Sequence, residues 1–195
     1  LMMKLLSPEY WSKKYQDAET GWDLGAVSPP LKDYIDQLTD KETKILIPGC
    51  GRAYEAIYLS RLGFKNITVA DVAQEPLNAL KAQKWGKSIQ ALQTDFFDLT
   101  GTFDLMLEQT FFCALPPEKR EAYVDKSLNL LKPSGKIAGV LFDFPLTDDG
   151  PPFGGSYDEY FRLFSKGFEI KKLEKCHNSV KPRLGRELFF IFEKK

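Results

Sequence analysis

Two glycines directly after an apolar run are the strongest chemical signal in the sequence. Gly49 and Gly51 follow residues 45–48, and a helix-compatible segment begins a few residues later. Glycines adopt positive φ and let the backbone approach a ligand closely, and free amides at a helix N-terminus can meet a carboxylate or ribose oxygens. Residues 45–56 therefore predict a strand, a tight turn and a helix start that hold a nucleotide-like ligand. Taken alone, the pattern is also compatible with a turn that binds nothing.

The ends of the next two predicted strands carry residue types that suit an adenosine group. Asp71 lies about 20 residues beyond Gly51, where a carboxylate can accept hydrogen bonds from both ribose hydroxyls. Asp95 could accept one from the adenine amino group, and the Phe96 ring could cover the base. Because the carboxyl ends of adjacent parallel strands meet at one edge of a sheet, we expect these residues to converge. Asp71 could instead cap the helix that follows it.

Tyr54 argues against a dinucleotide ligand. A dinucleotide fingerprint has Gly or Ala at this position, and a P-loop continues into Gly-Lys-Ser or Gly-Lys-Thr, which this segment lacks. The sequence therefore does not indicate phosphate binding. An NAD(P)-dependent oxidoreductase stays open as an alternative, since the glycine turn and Asp71 are compatible with it.

Apolar and helix-compatible segments alternate along the chain, which is typical of an α/β fold. Five short apolar runs have the near-continuous hydrophobicity of buried parallel strands. Two further β-rich runs, joined by a polar loop, predict an antiparallel hairpin that ends a mostly parallel seven-stranded sheet with helices on both faces. The predicted strands cover residues 44–48, 66–70, 89–93, 103–107, 136–142, 168–174 and 187–193, and the predicted helices cover residues 54–62, 75–85, 117–131 and 156–164.

Bulk composition limits the kind of partner. A chain of 195 residues is expected to form one domain, in which residues 1–40 provide an N-terminal helical lid with an aromatic segment. Lysine plus arginine and aspartate plus glutamate both number 27, so no net field attracts nucleic acid and a small-molecule substrate is expected. No apolar run is long enough to cross a bilayer, so no membrane partner is expected.

The three cysteines indicate a reducing compartment. Cys50, Cys113 and Cys176 are odd in number and widely spaced, which fits neither a disulfide framework nor a zinc site. The N-terminal residues also lack the apolar stretch of a secretory signal. We therefore expect a cytoplasmic protein with no bound metal, and we expect it to be a monomer.

Several motifs, in order along nearly the whole chain, resemble those of the thiopurine methyltransferase superfamily, and most closely its plant-type halide and thiol methyltransferases. The motifs are Trp22-Asp23-Leu24-Gly25 with Ser28-Pro29, Ile47-Pro48-Gly49-Cys50-Gly51, Phe111-Phe112-Cys113-Ala114, Leu130-Leu131-Lys132-Pro133 and Gly150-Pro151-Pro152. The resemblance implies a class I, Rossmann-like methyltransferase fold. It also implies S-adenosylmethionine as methyl donor, S-adenosylhomocysteine as product, and a thiol, sulfide, thiopurine-like or halide acceptor.

The resemblance also implies a set of donor contacts, to which the glycine turn adds Gly51. The implied contacts are Trp11, Tyr15, Trp22, Gly49, Asp71, Asp95, Phe96 and Gln109. Two of them depart from the plant-type pattern, which tends to have tryptophan in place of Tyr15 and tyrosine in place of Gln109. Transfer to a thiol is therefore a better expectation than transfer to a halide.

The N-terminal aromatic residues suit a cationic donor. Trp11 and Tyr15 are four residues apart and would share a helix face, and Trp22 follows after a polar turn. An aromatic face attracts a sulfonium by roughly 0.5 to 2 kcal/mol, so the rings are expected to cover the donor and exclude water. They could instead only anchor this segment on the core.

Arg183 is the candidate for the acceptor side, because residues 181–186 resemble the family's late basic loop. Its charge would raise the thiolate fraction of a bound thiol. Phe142, Asp143 and Phe153 are candidates to shape the acceptor pocket, although Phe142 could simply pack in the core and Arg183 could be a solvated surface residue. A macromolecular acceptor is a further alternative, which the neutral charge and the lack of an Asn/Asp-Pro-Pro-Tyr/Phe tetrad disfavour.

Overall fold

The computed structural model describes residues 6–195, in which a single seven-stranded sheet runs through the molecule. The strands are β1 (Lys44–Pro48), β2 (Asn66–Asp71), β3 (Gln90–Gln93), β4 (Phe103–Glu108), β5 (Leu131–Phe142), β6 (Phe168–Lys175) and β7 (Glu187–Lys194). Their order is β3-β2-β1-β4-β5-β7-β6. β7 is antiparallel to β5 and β6, whereas the other neighbouring pairs are parallel. The mostly parallel sheet with its terminal hairpin, as predicted from the sequence, is confirmed.

Helices cover both faces of the sheet. The described α-helices are α1 (Pro8–Gln16), α2 (Pro29–Asp36), α3 (Tyr54–Arg61), α4 (Gln74–Lys81), α5 (Arg120–Leu130) and α6 (Tyr157–Phe164). Alternate residues of a strand point to opposite faces. Ile45 and Ile47 of β1 accordingly belong to the apolar cluster that includes residues of α2, α3 and α4, and Leu46 belongs to the cluster that includes residues of α5 and α6.

The chain changes its direction across the sheet at β1. From β1 it passes outward through β2 to β3, and β4 then returns to pair with the other side of β1. Open α/β sheets bind ligands in the crevice beyond the carboxyl ends of the strands at such a switch point. The fold therefore places the candidate site beyond Pro48 of β1 and Glu108 of β4.

The second crossover helix is shorter than the sequence predicts. A helix over residues 75–85 was expected, but α4 ends at Lys81 and Lys84–Ser88 forms a separate 3-10 helix. There the chain turns back onto the end of α4, so that a Cβ on Gly86 would lie 1.9 Å from the Leu80 carbonyl oxygen. The close approach of the two backbones replaces the last helical turn.

β5 begins earlier than the sequence predicts. The expected strand covers residues 136–142, with residues 132–135 as the turn after a helix, whereas β5 starts at Leu131. Leu131 is buried and pairs with Phe103, and the register then shifts before Leu105 pairs with Lys136. A pairing contact with an early residue of β4 thus overrides the local turn signal.

The N-terminal segment divides into two parts with different packing. Residues 1–5 of the expected lid lie outside the described part of the chain. α1 has no buried residue, whereas α2 buries Leu31 and Ile35 in the same core cluster as α3. Only α1 and the loop after it are therefore placed as a cover, and α2 belongs to the packed body.

Candidate functional site

A cavity of about 580 Å³ lies at the carboxyl edge of the sheet, where the topology predicts a site. Its volume is within the range of pockets that bind small molecules and cofactors. It is lined by the turn after β1, the ends of β2 and β4, α1 with the loop that follows, and residues of the loops after β5 and β6. Most of the residues predicted from the sequence to form the site meet here.

The glycine turn forms the floor of the cavity. Gly49 and Gly51 both have positive φ, +57° and +53°, which only glycine adopts without strain. A Cβ on Gly49 would lie 2.1 Å from Cδ1 of Phe111, and a Cβ on Gly51 would lie 3.1 Å from the Tyr15 hydroxyl. The turn therefore needs glycine both for its backbone conformation and for the close approach of aromatic side chains.

Asp71, the last residue of β2, ties the glycine turn to the sheet. Its Oδ2 accepts a hydrogen bond from Gly51 N at 3.0 Å, and its Oδ1 accepts one from Ala73 N at 2.9 Å. Burial raises the pKa of Asp71, while these backbone donors pull it down. α4 has no side-chain cap, so Asp71 does not cap this helix; the residue lines the cavity, which is the ligand-facing position that the sequence left as the other alternative.

The pair after β3 is split between the cavity and the surface. Phe96 is buried, lines the cavity and stacks on Tyr123, with ring centroids 5.3 Å apart. Asp95 is exposed and does not belong to the cavity lining; its Oδ1 accepts a hydrogen bond from Phe97 N at 2.8 Å and caps a short 3-10 helix. The structure thus brings Phe96, but not Asp95, to the site.

Three aromatic side chains cover one side of the cavity. Trp22 meets both Trp11 and Tyr15 edge to face, with centroids 5.6 Å apart in each pair. Burial raises the pKa of the Tyr15 hydroxyl well above its usual range, so it is a neutral donor at physiological pH. The cluster joins α1 to the following loop and lies directly over the glycine turn.

α1 is held over the cavity by a small number of polar contacts. Ser12 Oγ and Gln16 Nε2 each donate a hydrogen bond of 3.0 Å to the carboxylate of Glu75 at the start of α4. Since α1 buries no residue, little apolar burial stabilises this position. The contacts of α1 are those of a cover rather than of a core helix.

Gln109, directly after β4, presents an amide to the same space. Its Oε1 accepts a hydrogen bond from Ser28 Oγ at 2.7 Å. Its Nε2 is buried and has no hydrogen-bond partner within residues 6–195. A buried N–H donor without a partner is costly, so this atom is suited to a ligand oxygen.

Two arginines from the loop before β7 line another part of the cavity. The guanidinium of Arg183 lies 5.7 Å from the Phe142 ring centroid, and that of Arg186 lies 4.6 Å from the Phe144 ring centroid. Arg183 donates from one terminal nitrogen to the Trp22 carbonyl oxygen at 3.0 Å, while the other is buried without a partner among the described residues. This part of the site is therefore cationic and aromatic, which suits a soft anion.

Two of the residues expected on the acceptor side do not line the cavity, since Phe153 is buried in the core and the side chain of Asp143 lies 3.9 Å from Nζ of the exposed Lys175. Phe153 is fully buried, and its amide donates to the Cys113 carbonyl oxygen at 2.7 Å. Asp143 donates through its amide to the Arg186 carbonyl oxygen at 2.8 Å. Neither residue belongs to the lining, whereas Phe142 and Arg183 do.

A buried carboxylate fixes the segment after β4 that lines the cavity. Oε2 of Glu108 accepts hydrogen bonds from the amides of Phe111 and Phe112, at 2.9 and 3.1 Å, and Oε1 accepts one from the Tyr123 hydroxyl at 2.7 Å. Burial raises the pKa of Glu108 to about 7, and these three donors limit the rise. Thr110, inside this segment, is held at φ +53°.

Sequence reasoning missed several site residues. Glu108 ends an apolar strand as Asp71 does, and that position was the available signal. Phe144 lies two residues after Phe142, and Arg186 three after Arg183, so spacing could have suggested them. Glu55 lines the cavity from the first turn of α3, and its position directly after the glycine turn is the signal that could have identified it.

Two other kinds of site are absent from the described residues. Residues 6–195 hold no group of three or more His, Cys, Asp or Glu side chains placed to bind a metal ion. Nor does any helix within that range have the length and apolar character to cross a membrane.

The strand order, the terminal hairpin and the glycine turn under the cavity define a class I S-adenosylmethionine-dependent methyltransferase fold. A solved structure with the same fold is Burkholderia thailandensis 1,6-didemethyltoxoflavin-N1-methyltransferase with bound S-adenosylhomocysteine. It matches with a TM-score of 0.80 and 20% identity, over 100% of this chain and 89% of that chain. This likeness confirms the fold class expected from the sequence.

The chain belongs to the thiopurine S-methyltransferase family, whose model matches residues 6–194. A probable thiol methyltransferase 2 of Arabidopsis thaliana is 28% identical over 185 residues, covering 91% of this chain and 81% of that protein. A thiopurine S-methyltransferase of Nitrosospira multiformis is 30% identical over 193 residues, covering 87% and 86%. The family resemblance expected from the motifs is confirmed, and the oxidoreductase alternative has no support from these matches.

Proposed function

We propose that the protein transfers the methyl group of S-adenosylmethionine to the sulfur of a small thiol. The observation that carries this proposal is the single cavity that joins a nucleoside-type wall to a cationic, aromatic end. Asp71 and Phe96 lie on the first, Arg183 and Phe142 lie on the second, and Trp22 lies close to both. Family membership and the names of the relatives support the same chemistry.

On the donor side, the chain offers partners of the types that the donor needs. Asp71 accepts hydrogen bonds from ribose hydroxyls, and Phe96 packs against the adenine ring. Trp11, Tyr15 and Trp22 provide aromatic faces and edges over the sulfonium. Gly49 and Gly51 let the turn lie close to Phe111 and Tyr15, so that its backbone faces the donor directly. Asp95, which is exposed beside Phe96, is the proposed acceptor for the adenine amino group.

The bound donor supplies an activated methyl group, so the chain itself needs to align the acceptor and exclude water. The aromatic cluster closes the cavity toward solvent. A bound thiol then attacks as the thiolate, a sulfur–carbon bond forms as the methyl–sulfonium bond breaks, and the thiol proton leaves to solvent. The products are the methyl thioether and S-adenosylhomocysteine.

On the acceptor side, Arg183 stabilises the thiolate form. A free thiol with a pKa near 8.5 is only a few per cent ionised at neutral pH, and a nearby guanidinium raises that fraction. Arg183 lines the cavity, and the guanidinium nitrogen that has no partner among residues 6–195 supports this role. Phe142 forms the adjoining apolar wall, and the Asp143 amide fixes the Arg186 backbone next to it, while Phe153 stays in the core.

We also propose a thiol rather than a halide as acceptor, action in the cytoplasm and a monomeric protein. Tyr15 and Gln109 differ from the plant-type halide enzymes, which favours thiols over halides, and a formal net charge of +0 favours a small molecule over nucleic acid. The free state of Cys50, Cys113 and Cys176 is consistent with action in the cytoplasm. We expect the protein to act as a monomer.

Calorimetry followed by a product assay tests the proposal. S-adenosylhomocysteine should bind at one site per chain and NADH should not. With S-adenosylmethionine present, mass spectrometry should detect methyl thioethers from a panel of aliphatic and aromatic thiols, with lower yields from iodide. Binding of NADH without binding of either sulfur nucleoside would sink the proposal.

A further inference from the structure

Four carboxylates line the cavity, and three of them already have strong partners. Glu19 pairs with Lys14 at 2.8 Å, and Asp23 pairs with Arg52 at 2.9 Å. Asp71 accepts the two backbone hydrogen bonds described above. The fourth is Glu55, whose carboxylate receives one hydrogen bond from another residue within residues 6–195, a long one of 3.5 Å from Ser28 N.

Glu55 is buried in a position that calls for a positive partner. It is 6% exposed and lies in the first turn of α3, directly after the glycine turn. A buried carboxylate without a cation or several donors is costly, and burial accordingly raises the pKa of Glu55. Arg183 attracts the charge from across the cavity and Asp23 repels it, but neither contacts it directly. The helix N-terminus favours the anion in part.

Gln109 presents the opposite need on the same wall. Its buried Nε2 has hydrogens to donate and no partner in the described part of the chain. Ser28 lies between the two side chains, since its N donates to Glu55 Oε1 and its Oγ donates to Gln109 Oε1 at 2.7 Å. Ser28 thus lies between a carboxylate that has no cationic partner within residues 6–195 and an amide nitrogen that has no acceptor within that range.

We propose that Glu55 and Gln109 form a subsite for the amino-acid end of the donor, in which Glu55 binds the α-ammonium group and Gln109 Nε2 donates to the α-carboxylate. An α-amino acid zwitterion carries both complementary charges on one carbon, which matches two side chains bridged by a single serine. β1, which leads into the glycine turn, offers no alternative partner for the ammonium group, because Lys44–Pro48 contains no carboxylate. The proposal rests on the donor assignment made under the proposed function.

Truncated ligands separate this subsite from the rest of the donor site. 5′-Methylthioadenosine lacks the amino-acid end, and decarboxylated S-adenosylmethionine keeps the amino group but lacks the carboxylate. Calorimetry should compare both with S-adenosylhomocysteine on the wild-type chain, Glu55→Gln and Gln109→Leu. Glu121→Gln is the matched control, because Glu121 is an exposed acidic residue in the first turn of α5.

The expected pattern follows from charge-assisted hydrogen bonds. Glu55→Gln should weaken S-adenosylhomocysteine by about 10- to 100-fold. It should weaken decarboxylated S-adenosylmethionine as well, and it should leave methylthioadenosine unchanged. Gln109→Leu should weaken S-adenosylhomocysteine but not the decarboxylated donor. Thermal melts without ligand should show that both variants fold.

Two results overturn the proposal. One is wild-type affinity of Glu55→Gln for S-adenosylhomocysteine. The other is an equal loss for S-adenosylhomocysteine and methylthioadenosine, which would make Glu55 a structural residue of the turn. A wild-type chain that binds neither nucleoside contradicts the proposed function itself, and this outcome is distinct from the other two.

Discussion

A guanidinium nitrogen of Arg183 donates a hydrogen bond to the carbonyl oxygen of Trp22 at 3.0 Å, across 161 residues of sequence. The contact joins the loop before β7 to the aromatic cover of the donor side. Arg183 therefore touches both halves of the cavity, since its other terminal nitrogen is buried there without a partner in the described residues. The closing of the cover and the charge at the acceptor end are parts of one arrangement.

Replacement of Arg183 should affect the acceptor more than the donor. Arg183→Ala should lower kcat/KM for a thiol by roughly 10- to 100-fold, the value of a hydrogen bond to a charged group, and should move the alkaline rise of the rate to higher pH. Affinity for S-adenosylhomocysteine should fall by only about 2- to 10-fold, because one hydrogen bond to Trp22 is lost. Steady-state kinetics and calorimetry measure the two effects.

Lys181→Ala is the control for Arg183, because Lys181 is exposed in the same loop and does not line the cavity. It should leave both constants unchanged. An Arg183→Ala variant with unaltered thiol kinetics and an unaltered pH profile would remove Arg183 from the acceptor site.

Asp71→Asn tests the link between the glycine turn and the donor. The amide keeps the shape of the side chain, but an NH2 group replaces one of the two oxygens that accept from Gly51 N and Ala73 N. Affinity for S-adenosylhomocysteine should fall by about 1 to 3 kcal/mol. Calorimetry against Asp98→Asn, an exposed aspartate of the neighbouring loop, measures the loss. Equal affinities of the two variants would place the ribose elsewhere.

Gly49 should tolerate no side chain. Gly49→Ala would combine a positive φ with a Cβ 2.1 Å from the Phe111 ring. The free energy of unfolding of the variant should therefore be at least about 2 kcal/mol lower than that of the wild type. Gly21→Ala is the control, because a Cβ there meets nothing within 4 Å. Urea denaturation followed by circular dichroism compares them. A Gly49→Ala variant as stable as Gly21→Ala would contradict the packing of Phe111 against the turn.

Glu108 should make stability depend on pH with a defined sign. Its pKa is raised from 4.5 to about 7 in the folded protein, so the folded state holds the proton more tightly. The stabilisation linked to this proton is present in full below about pH 4.5 and is lost as the pH rises through about 7. Glu108→Gln does not titrate, so its free energy of unfolding should fall less than that of the wild type between pH 5 and pH 8.

Glu108→Ala should behave differently from Glu108→Gln. Alanine leaves the amides of Phe111 and Phe112 and the Tyr123 hydroxyl without their shared acceptor, which costs about 1 to 3 kcal/mol for each group that stays dry. Glutamine can still accept from both amides and donate to the Tyr123 oxygen. Equal stability of the two variants at pH 8 would show that this carboxylate does not hold the wall segment.

Much of the fold could be predicted from local sequence patterns. Strands such as β1 and β2 are apolar runs, which are stable only when both faces of the strand are buried. The turn at Gly49 has a positive φ, which explains why a glycine is found there. These signals act within a few residues. The start of β5 at Leu131 was not predicted, since it depends on pairing with Phe103, which is distant in sequence.

The candidate site could be predicted only in part, because the direction of a side chain depends on tertiary packing. Asp71 and Phe96 follow strands that end at the cavity, so strand ends were sufficient to find them. Asp95 turns away to cap a 3-10 helix, and Phe153 packs beneath the wall. Glu55 could not be identified from local sequence, because its surroundings in the cavity depend on Ser28, which is 27 residues away in the chain.

A labelled methyl transfer to an acceptor that has both a thiol and a hydroxyl group shows whether this protein methylates sulfur. The protein is incubated with 2-mercaptoethanol and S-adenosylmethionine that carries a trideuterated methyl group, and the products are identified by mass spectrometry. We expect the deuterated methyl thioether, formed in equal amount with S-adenosylhomocysteine and reduced in Arg183→Ala. Label on the hydroxyl oxygen, or S-adenosylhomocysteine without a methylated thiol, would contradict this expectation.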